Sequence, residues 1–463
     1  MIFENATILT MNPKREIIER GAVVVDGKLI AAIGKTQEIV ARYPQLPRIN
    51  CNGNLLLPGL IDTHVHLAQC ILRGYTDDKQ YEFLEWLTGR IFPILGNMTP
   101  EDGLASASLC VLEMIKSGTT GFIEVLLAEH YGFDGIAEMI EKAGIRAALG
   151  KIVMDMDPAI RDQIGIHPNM WEPRQVCIQN TLKMFDRWNK AADGRIQVWF
   201  GARTAGEWNR PDMYDEISQL ARERNMGITI HFAETPEDVA YAKSQGFRSP
   251  TEFGMAHGIL GPRTVLAHYI HSDEEDWKLL VETGTTVSHN PGSNQREPWG
   301  PPPVARMLKA GVNVSMGCDA AVANNAMDMV RDLRVALHAT RIFENNKAAM
   351  SPETALELAT LNGAKAMGIE DEVGSIEPGK HADFILIDLD KPHLQPVWNP
   401  VATLVLSALG SDVDTVVVDG KIIMQGRKVL TMDEEAILAD IRERKARLAK
   451  KAGIEMHLQW PVI

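Results

Sequence analysis

The stretch PGLIDTHVHLAQ, residues Pro58–Gln69, ends an apolar run with two histidines at alternate positions. On a β-strand, residues i and i+2 point to the same side, so His64 and His66 would project together from one face. Two imidazoles fixed in this way can form half of the ligand shell of a metal. Two unrelated polar residues at a strand end would give the same pattern, so a metal site requires further ligands from elsewhere in the chain.

The composition is typical of a globular protein. The chain has 463 residues, of which 45% are apolar and 23% charged, enough for one large domain and a smaller one. No apolar run reaches about 18 residues, and no basic segment precedes an apolar core at the N-terminus, which predicts neither a membrane span nor a secretory signal. Five scattered cysteines without CxxC spacing predict a cytoplasmic protein without disulfides. The net charge of −14 disfavours nucleic acid as a partner.

The two ends of the chain carry nearly the same string. VVVDGKLI at residues 23–30 and VVVDGKII at residues 416–423 both read as β-hairpins with an Asp-Gly turn. We expect residues 1–57 and 373–430 to form one small β-sandwich domain around an inserted core, and residues 431–463 to form a helical tail. A coincidence of hairpin chemistry is the alternative.

Between residues 58 and 372, strand-like and helix-like segments alternate. The predicted strands are LIDTHVHL (60–67), TTGFIEV (119–125), RAALGKIVM (146–154), IQVWFGA (196–202), GITIHFA (227–233), TVLAHYI (264–270), TTVSHN (285–290) and VNVSMGC (312–318). This order predicts an α/β fold with a (β/α)8 TIM-like barrel. A doubly wound open sheet is the competing fold, but no GxGxxG follows the first strand.

Polar residues recur where the later predicted strands end. His231, His268 and His289 end strands 5, 6 and 7, and Asp319 ends strand 8. The C-terminal ends of barrel strands converge on one mouth, so these residues would meet the two histidines of strand 1. Glu234 should lie just beyond strand 5, where the chain turns, which suits a general acid/base that is not a ligand.

These motifs together resemble the amidohydrolase superfamily. HxH on strand 1, HxxE on strand 5, His on strand 6, Asp on strand 8 and GSIEPGKHADFILIDL at residues 374–389 are similar to its aminohydrolase/chlorohydrolase group, which includes cytosine, guanine and adenosine-type deaminases and triazine hydrolases. The resemblance implies one divalent metal per subunit, bound by His64, His66, His231 and Asp319. Zn²⁺ suits these ligands best, and Fe²⁺ accepts the same set. Binuclear members carry a carboxylated lysine at the end of strand 4, whereas this chain reads FGARTAGEW there.

The activity implied by the resemblance is hydrolytic deamination of an amino-substituted N-heterocycle such as a purine, a pterin or a triazine. Metal-activated hydroxide would attack the ring carbon, with Glu234, His268 and Asp319 as catalytic proton-transfer groups. Hydrolytic dechlorination or N-dealkylation of s-triazine rings is the alternative; the apolar Ala320 directly after Asp319 disfavours dechlorination. A metal-free scaffold of the same fold is a third possibility.

The resemblance also implies a set of substrate-binding residues. They are Gln69, Trp86, Arg203, His289, Asn290 and Asn294. Trp86 would stack on a flat ring, or belong to a helix core. Adenosine-type deaminases carry His-Ala-Pro where this chain has Arg203-Thr204-Ala205, and guanine deaminases place an arginine there. Arg203 would then donate to a ring carbonyl, favouring an amino-oxo heterocycle, unless it forms a structural salt bridge. Relatives in this group imply a homo-oligomer, a dimer or larger.

Overall fold

The strands of the computed structural model form two sheets. The model describes residues 1–76, 81–204, 208–296, 300–453, 458 and 460–461, so Ala205 and part of the predicted tail lie outside the description. In chain order the strands are β1 Ile2–Leu9, β2 Ile17–Asp26, β3 Leu29–Lys35, β4 Arg48–Asn50, β5 Leu55–Pro58, β6 Leu60–Val65, β7 Thr119–Leu127, β8 Arg146–Val153, β9 Ile196–Ala202, β10 Ile228–Phe232, β11 Thr264–His268, β12 Thr286–His289, β13 Asn313–Met316, β14 Phe384–Ile387, β15 Val413–Val418, β16 Lys421–Gln425 and β17 Lys428–Val429.

Strands β6 to β13 form the predicted barrel. They pair in sequence order, and every pair is parallel. The ring closes between its first and last members, where the backbone N–H of Asp319 donates to the carbonyl of His64 at 2.7 Å. The eight predicted strands correspond to these eight, so the (β/α)8 architecture is confirmed and the open sheet is excluded.

Helices separate the barrel strands. Within the described ranges the α-helices are α1 Thr36–Arg42, α2 Phe83–Trp86, α3 Phe92–Gly96, α4 Pro100–Lys116, α5 Phe133–Ala143, α6 Pro158–Ile164, α7 Arg174–Trp188, α8 Pro211–Arg224, α9 Pro236–Ser244, α10 Pro250–Ala256, α11 Glu274–Thr283, α12 Pro291–Asn294, α13 Val304–Ala310, α14 Met329–Phe343, α15 Pro352–Ala359, α16 Leu361–Met367, α17 Pro400–Ser407 and α18 Glu434–Ala452. None of these helices combines the length and the apolarity that crossing a membrane would require.

Tight packing fixes the barrel interior below the mouth. A Cβ on Gly201 of β9 would lie 1.8 Å from the carbonyl oxygen of Val125 on β7, so only glycine fits there. On the opposite side, the hydroxyl of Thr63 lies 2.7 Å from that of Ser288 and 2.8 Å from that of Ser315. Buried hydroxyls need such partners, because an unpaired one is costly to desolvate. These contacts fix the barrel strands relative to one another, and so fix the positions of the side chains at the strand ends.

The second sheet combines both chain ends, as predicted. β5 pairs antiparallel with β14, with Leu55 opposite Ile387. The N–H of Ile30 also donates to the carbonyl of Lys380 at 2.8 Å, so β3 curls back toward the segment before β14. Both chain ends therefore build the predicted small β domain, whose strands form one hydrogen-bonded sheet. The proposed domain boundaries stay a prediction.

A buried ion cluster joins this sheet to the barrel. Arg146, at the start of β8, donates through Nε and Nη2 to Asp383 at 2.7 and 2.9 Å, and it also pairs with Asp419. His381 bonds the same Asp419 carboxylate at 2.7 Å. The Arg146 side chain is only 3% exposed. The cluster lies at the strand N-termini, opposite the barrel mouth.

The charge of Asp419 makes the stability of the fold depend on pH. Burial alone would raise the pKa of Asp419, but the hydrogen bond from His381 and the charge of Arg146 outweigh it and lower the pKa. A carboxyl with a lower pKa in the folded state stabilises the fold above its ordinary value, and this stability disappears as the pH falls through the folded pKa. We therefore expect the free energy of unfolding, from urea titrations, to decline below about pH 4. Asp419→Asn should show a shallower decline, and an unchanged slope would contradict this prediction.

Candidate active site

Four strand ends bring the predicted metal ligands together at the barrel mouth. The Nε2 atoms of His64 and His66 lie 3.3 and 3.2 Å from Oδ1 of Asp319. Nε2 of His66 also lies 3.2 Å from Nε2 of His231. All four side chains are buried. Together with His268, these residues form two overlapping groups whose atoms lie close enough to hold an ion. One group is His64, His66 and Asp319, and the other is His64, His231 and His268.

The arrangement fits one divalent cation. Ligands about 2.1 Å from a tetrahedral Zn²⁺ lie about 3.4 Å apart, close to the 3.2–3.3 Å spacings among these atoms. Neither ring nitrogen of His64 has a hydrogen-bond partner among the described residues, although the ring is fully buried. A buried imidazole without a partner is costly, and a bound cation would supply that partner.

Backbone conformation turns the functional side chains into the mouth. Ala233, His268 and Asp319 all have left-handed backbones, with φ of 50°, 69° and 66°. Such conformations are costly for residues other than glycine and often accompany functional sites. The turn at Ala233 explains how Glu234, three residues after His231, faces the same centre instead of the opposite side of the strand.

Glu234 and His268, the predicted proton-transfer groups, lie beside the predicted ligands. Oε1 of Glu234 is 3.6 Å from Nε2 of His268, which is 4.0 Å from Oδ2 of Asp319. Burial raises the pKa of Glu234. Burial alone would lower the pKa of His268, but the Glu234 and Asp319 carboxylates outweigh it and raise that pKa. A carboxyl with a raised pKa is suited to donate a proton near neutral pH.

A cleft opens next to this centre. Gln69, Trp86, Arg203 and Asn294 lie on its walls, as do residues without a predicted role, Phe83, Leu87, Ile270 and Arg296. The Arg296 guanidinium lies 4.7 Å above the Trp86 ring, which leaves only the other face of Trp86 for a substrate ring.

Two predicted substrate residues do not reach the cleft wall. His289 is fully buried, and neither of its ring nitrogens has a described hydrogen-bond partner. Asn290 lies behind His268, with its Nδ2 3.4 Å from Nδ1 of that histidine. His289 ends β12 and Asn290 follows it, and neither lines the cleft, so direct substrate contact by either would require the cleft to rearrange.

Arg203 lines the cleft with no counter-ion among the described residues. It is 8% exposed and lies between aromatic rings, 5.4 Å from the Phe92 centroid and 4.9 Å from that of Trp208. The structure shows no ion pair between it and any described residue, so the salt-bridge alternative finds no support. Burial lowers the pKa of Arg203 to about 10. A buried guanidinium without a protein partner is well placed to bind an acceptor on a ligand.

Sequence reasoning missed two buried carboxylates that support the ligands. Glu124 on β7 accepts from the N–H groups of Leu67 at 2.6 Å and Leu126 at 3.0 Å, holding the chain that follows His66. Asp62 accepts from the N–H of Cys318 at 3.0 Å. Burial raises the pKa of each carboxyl to about 7. An acidic residue inside an apolar β run was the available signal in both cases.

A second His/Asp cluster does not have the character of a metal site. His381, Asp383 and Asp419 lie close enough to hold an ion. The Arg146 guanidinium already donates to Asp383 and pairs with Asp419 there. A cation bound at that cluster would have to displace this guanidinium.

Comparison with known proteins agrees with the fold and identifies the family. A model described as the amidohydrolase family matches residues 55–423, and one described as a bacterial imidazolonepropionase-like composite domain matches residues 21–45. A 5-methylthioadenosine/S-adenosylhomocysteine deaminase of Desulforamulus reducens is 36% identical over 97% of this chain and 99% of its own length. A 5'-deoxyadenosine deaminase of Methanosarcina mazei is 33% identical over 98% and 99%.

A solved structure shares the whole architecture. A zinc-bound adenosine deaminase from Xanthomonas campestris superposes with a TM-score of 0.89 at 26% identity, covering 97% of this chain and 98% of its own. The family model spans most of the chain, and the deaminase relatives align from end to end. The chain therefore belongs to the amidohydrolase family.

Proposed function

We propose that the protein is a zinc-dependent hydrolytic deaminase of an amino-substituted N-heterocycle. The observation that carries this proposal is the convergence of His64, His66, His231 and Asp319 beside the Glu234–His268 pair. Relatives of matching length are deaminases of adenosine-type substrates, and a zinc-bound deaminase shares the fold. These comparisons favour deamination over dechlorination or dealkylation of triazines.

The chain's residues supply positioning and proton transfer. A divalent cation held by the four ligands would lower the pKa of a bound water from about 15.7 toward about 7. His268 faces the same space and would accept a proton from the water. Glu234, with its raised pKa, would donate a proton to the ring nitrogen next to the attacked carbon. Asp319 would help pass a proton to the departing amino group, which leaves as ammonia.

The arginines of the cleft favour a ring that carries a carbonyl. Arg203 and Arg296 both line the cleft, and neither forms an ion pair with a described residue. A guanidinium offers paired N–H donors that match a carbonyl or enolate oxygen. We therefore infer an amino-oxo heterocycle, of the guanine or pterin type, as the preferred substrate. Adenosine-type nucleosides are the second candidate, favoured by the named activities of the relatives.

A substrate panel tests both candidates. Ammonia release should be measured with guanine, a 2-amino-4-oxopteridine, adenosine, 5'-deoxyadenosine, 5'-methylthioadenosine, melamine and a chloro-s-triazine. The proposal expects ammonia from at least one aminated ring, with the amino-oxo rings ahead. Preference for the adenosines would overturn the role of Arg203 but leave deamination intact. Chloride release without ammonia would overturn deamination itself.

Metal analysis provides an independent test. We expect purified protein to contain about one zinc per chain, since the ligand atoms fit a single tetrahedral ion. Removing it with a chelator should abolish turnover, and adding zinc back should restore it. A stoichiometry near two would indicate a binuclear site, and full activity of the metal-free protein would contradict the proposal.

We also infer a homo-oligomer in the cytoplasm. Large apolar side chains remain exposed on the single chain, including Ile342 at 79% and Trp398 at 89%. Exposed apolar surface often marks an interface. The five cysteines are all free and buried, consistent with a reducing compartment. Light scattering would report the subunit number.

A further inference from the structure

His268 is held from behind by an asparagine. Nδ1 of His268 lies 2.7 Å from Oδ1 of Asn294 and 3.4 Å from Nδ2 of Asn290. Hydrogen bonds to ring nitrogens have their usual length near 2.9 Å, so the Asn294 contact is the strong one. Both His268 and Asn294 are 3% exposed, so water does not compete for this bond.

The Asn294 contact determines which nitrogen of the His268 ring carries the proton. An amide oxygen can only accept, so Nδ1 must donate, and Nε2 is then left with its lone pair. Nε2 is the atom that faces Glu234 and Asp319, at 3.6 and 4.0 Å. We propose that Asn294 is a positioning residue that fixes the Nδ1–H tautomer of His268, so that Nε2 can accept a proton from the attacking water. This inference rests on the proposed function for its catalytic consequence.

The loop after β12 fixes Asn294 in place. The N–H of Asn294 donates to the carbonyl of Asn290 at 3.0 Å, closing the turn of α12. A Cβ on Gly292 would lie 1.9 Å from Oδ1 of Asn324, so the turn fits closely against its neighbour. The partner histidine is also constrained, because its backbone is left-handed at φ 69°. The bond therefore joins two rigid segments.

Substrate recognition is the competing role for Asn294. Its amide Nδ2 is buried without a hydrogen-bond partner among the described residues, and the side chain lines the cleft. Nδ2 could donate to a substrate, whereas the positioning role uses Oδ1 alone. The two roles therefore depend on different atoms of one side chain, and substitutions can separate them.

Asn294→Asp and Asn294→Ala provide that separation. Aspartate keeps the acceptor and loses the Nδ2 donor, whereas alanine loses both. We expect Asn294→Ala to lower kcat roughly 10- to 100-fold with little change in KM, as for other partners that orient a site histidine. Asn294→Asp should recover most of kcat. The inference would be overturned in favour of substrate recognition if the aspartate variant were as impaired as the alanine variant. A rise in KM with kcat unchanged would also overturn it.

Nitrogen NMR gives a readout that does not depend on turnover. In zinc-loaded protein labelled with ¹⁵N-histidine, with His268 assigned through His268→Gln, Nδ1 should carry the proton in the wild type and in Asn294→Asp. In Asn294→Ala the Nδ1–H signal should broaden or disappear. A wild-type His268 protonated at Nε2 alone would overturn the inference. If no ring in the panel releases ammonia, the proposed function fails, and the tautomer measurement still decides the role of Asn294. Zinc content near one per chain in each variant excludes simple metal loss.

Discussion

Replacing Glu234 by glutamine should lower kcat by about 10²-fold or more while the metal stays bound. Glutamine has nearly the shape of glutamate, so the cleft should keep its form. The amide can neither take up nor release a proton as the carboxyl does, so protonation of the ring nitrogen would be lost. Metal content should be unaffected, because Glu234 is not one of the four proposed ligands and its Oε1 lies 3.6 Å from Nε2 of His268.

A matched control lies three residues further along the chain. Glu237 is exposed in the first turn of α9, so Glu237→Gln makes the same chemical change outside the cleft. It should turn over at the wild-type rate. Steady-state kinetics with zinc analysis on both variants would check the prediction. Normal turnover by Glu234→Gln with zinc retained would remove this residue from the mechanism.

Replacing Arg146 by methionine should destabilise the fold by about 3–5 kcal/mol. The substitution leaves the carboxylate of Asp383 buried without its cation, while Asp419 keeps Arg195 at 3.6 Å; both carboxylates are at most 6% exposed. Stranding a buried charge costs far more than losing a surface ion pair. The cluster also joins β8 to the second sheet, so its loss should weaken the contact between the barrel and that sheet.

Chemical unfolding followed by circular dichroism would measure this effect. Arg442→Met is a suitable control, because Arg442 is exposed on α18. We expect the control within about 0.5 kcal/mol of the wild type. Under native conditions kcat of Arg146→Met should change little, since the cluster lies at the end of the barrel opposite the mouth. A loss below about 1 kcal/mol would show that the cluster relaxes or admits water.

The parts of the site that follow a backbone period could be predicted from the sequence. The alternate spacing of His64 and His66 follows the two-residue repeat of a strand, and barrel geometry brings His231 and Asp319 to the same mouth. The Asp-Gly hairpins at the two chain ends likewise predicted a shared small domain. In each case a local pattern and the fold gave the same answer.

Features that depend on long-range packing could not be predicted. Nothing near Glu124 in the sequence indicates that its carboxylate accepts from the N–H of Leu67. His289 seemed equivalent to the other strand-end histidines, yet it is buried away from the cleft wall. Arg203 has no counter-ion among the described residues, and the Phe92 ring beside it comes from a distant segment, whereas Trp208 follows it closely in the chain.

The first and last strands of the barrel are joined by residues that also belong to the proposed metal site. The N–H of Asp319 donates to the carbonyl of His64 where the ring closes, and the side chains of the same two residues belong to the proposed ligand set. An ion bound by both residues would link the first and last strands, so its binding free energy would also oppose their separation. Metal binding and closure of the barrel would thus be thermodynamically linked, so that loss of the metal would destabilise the barrel as well as abolish turnover.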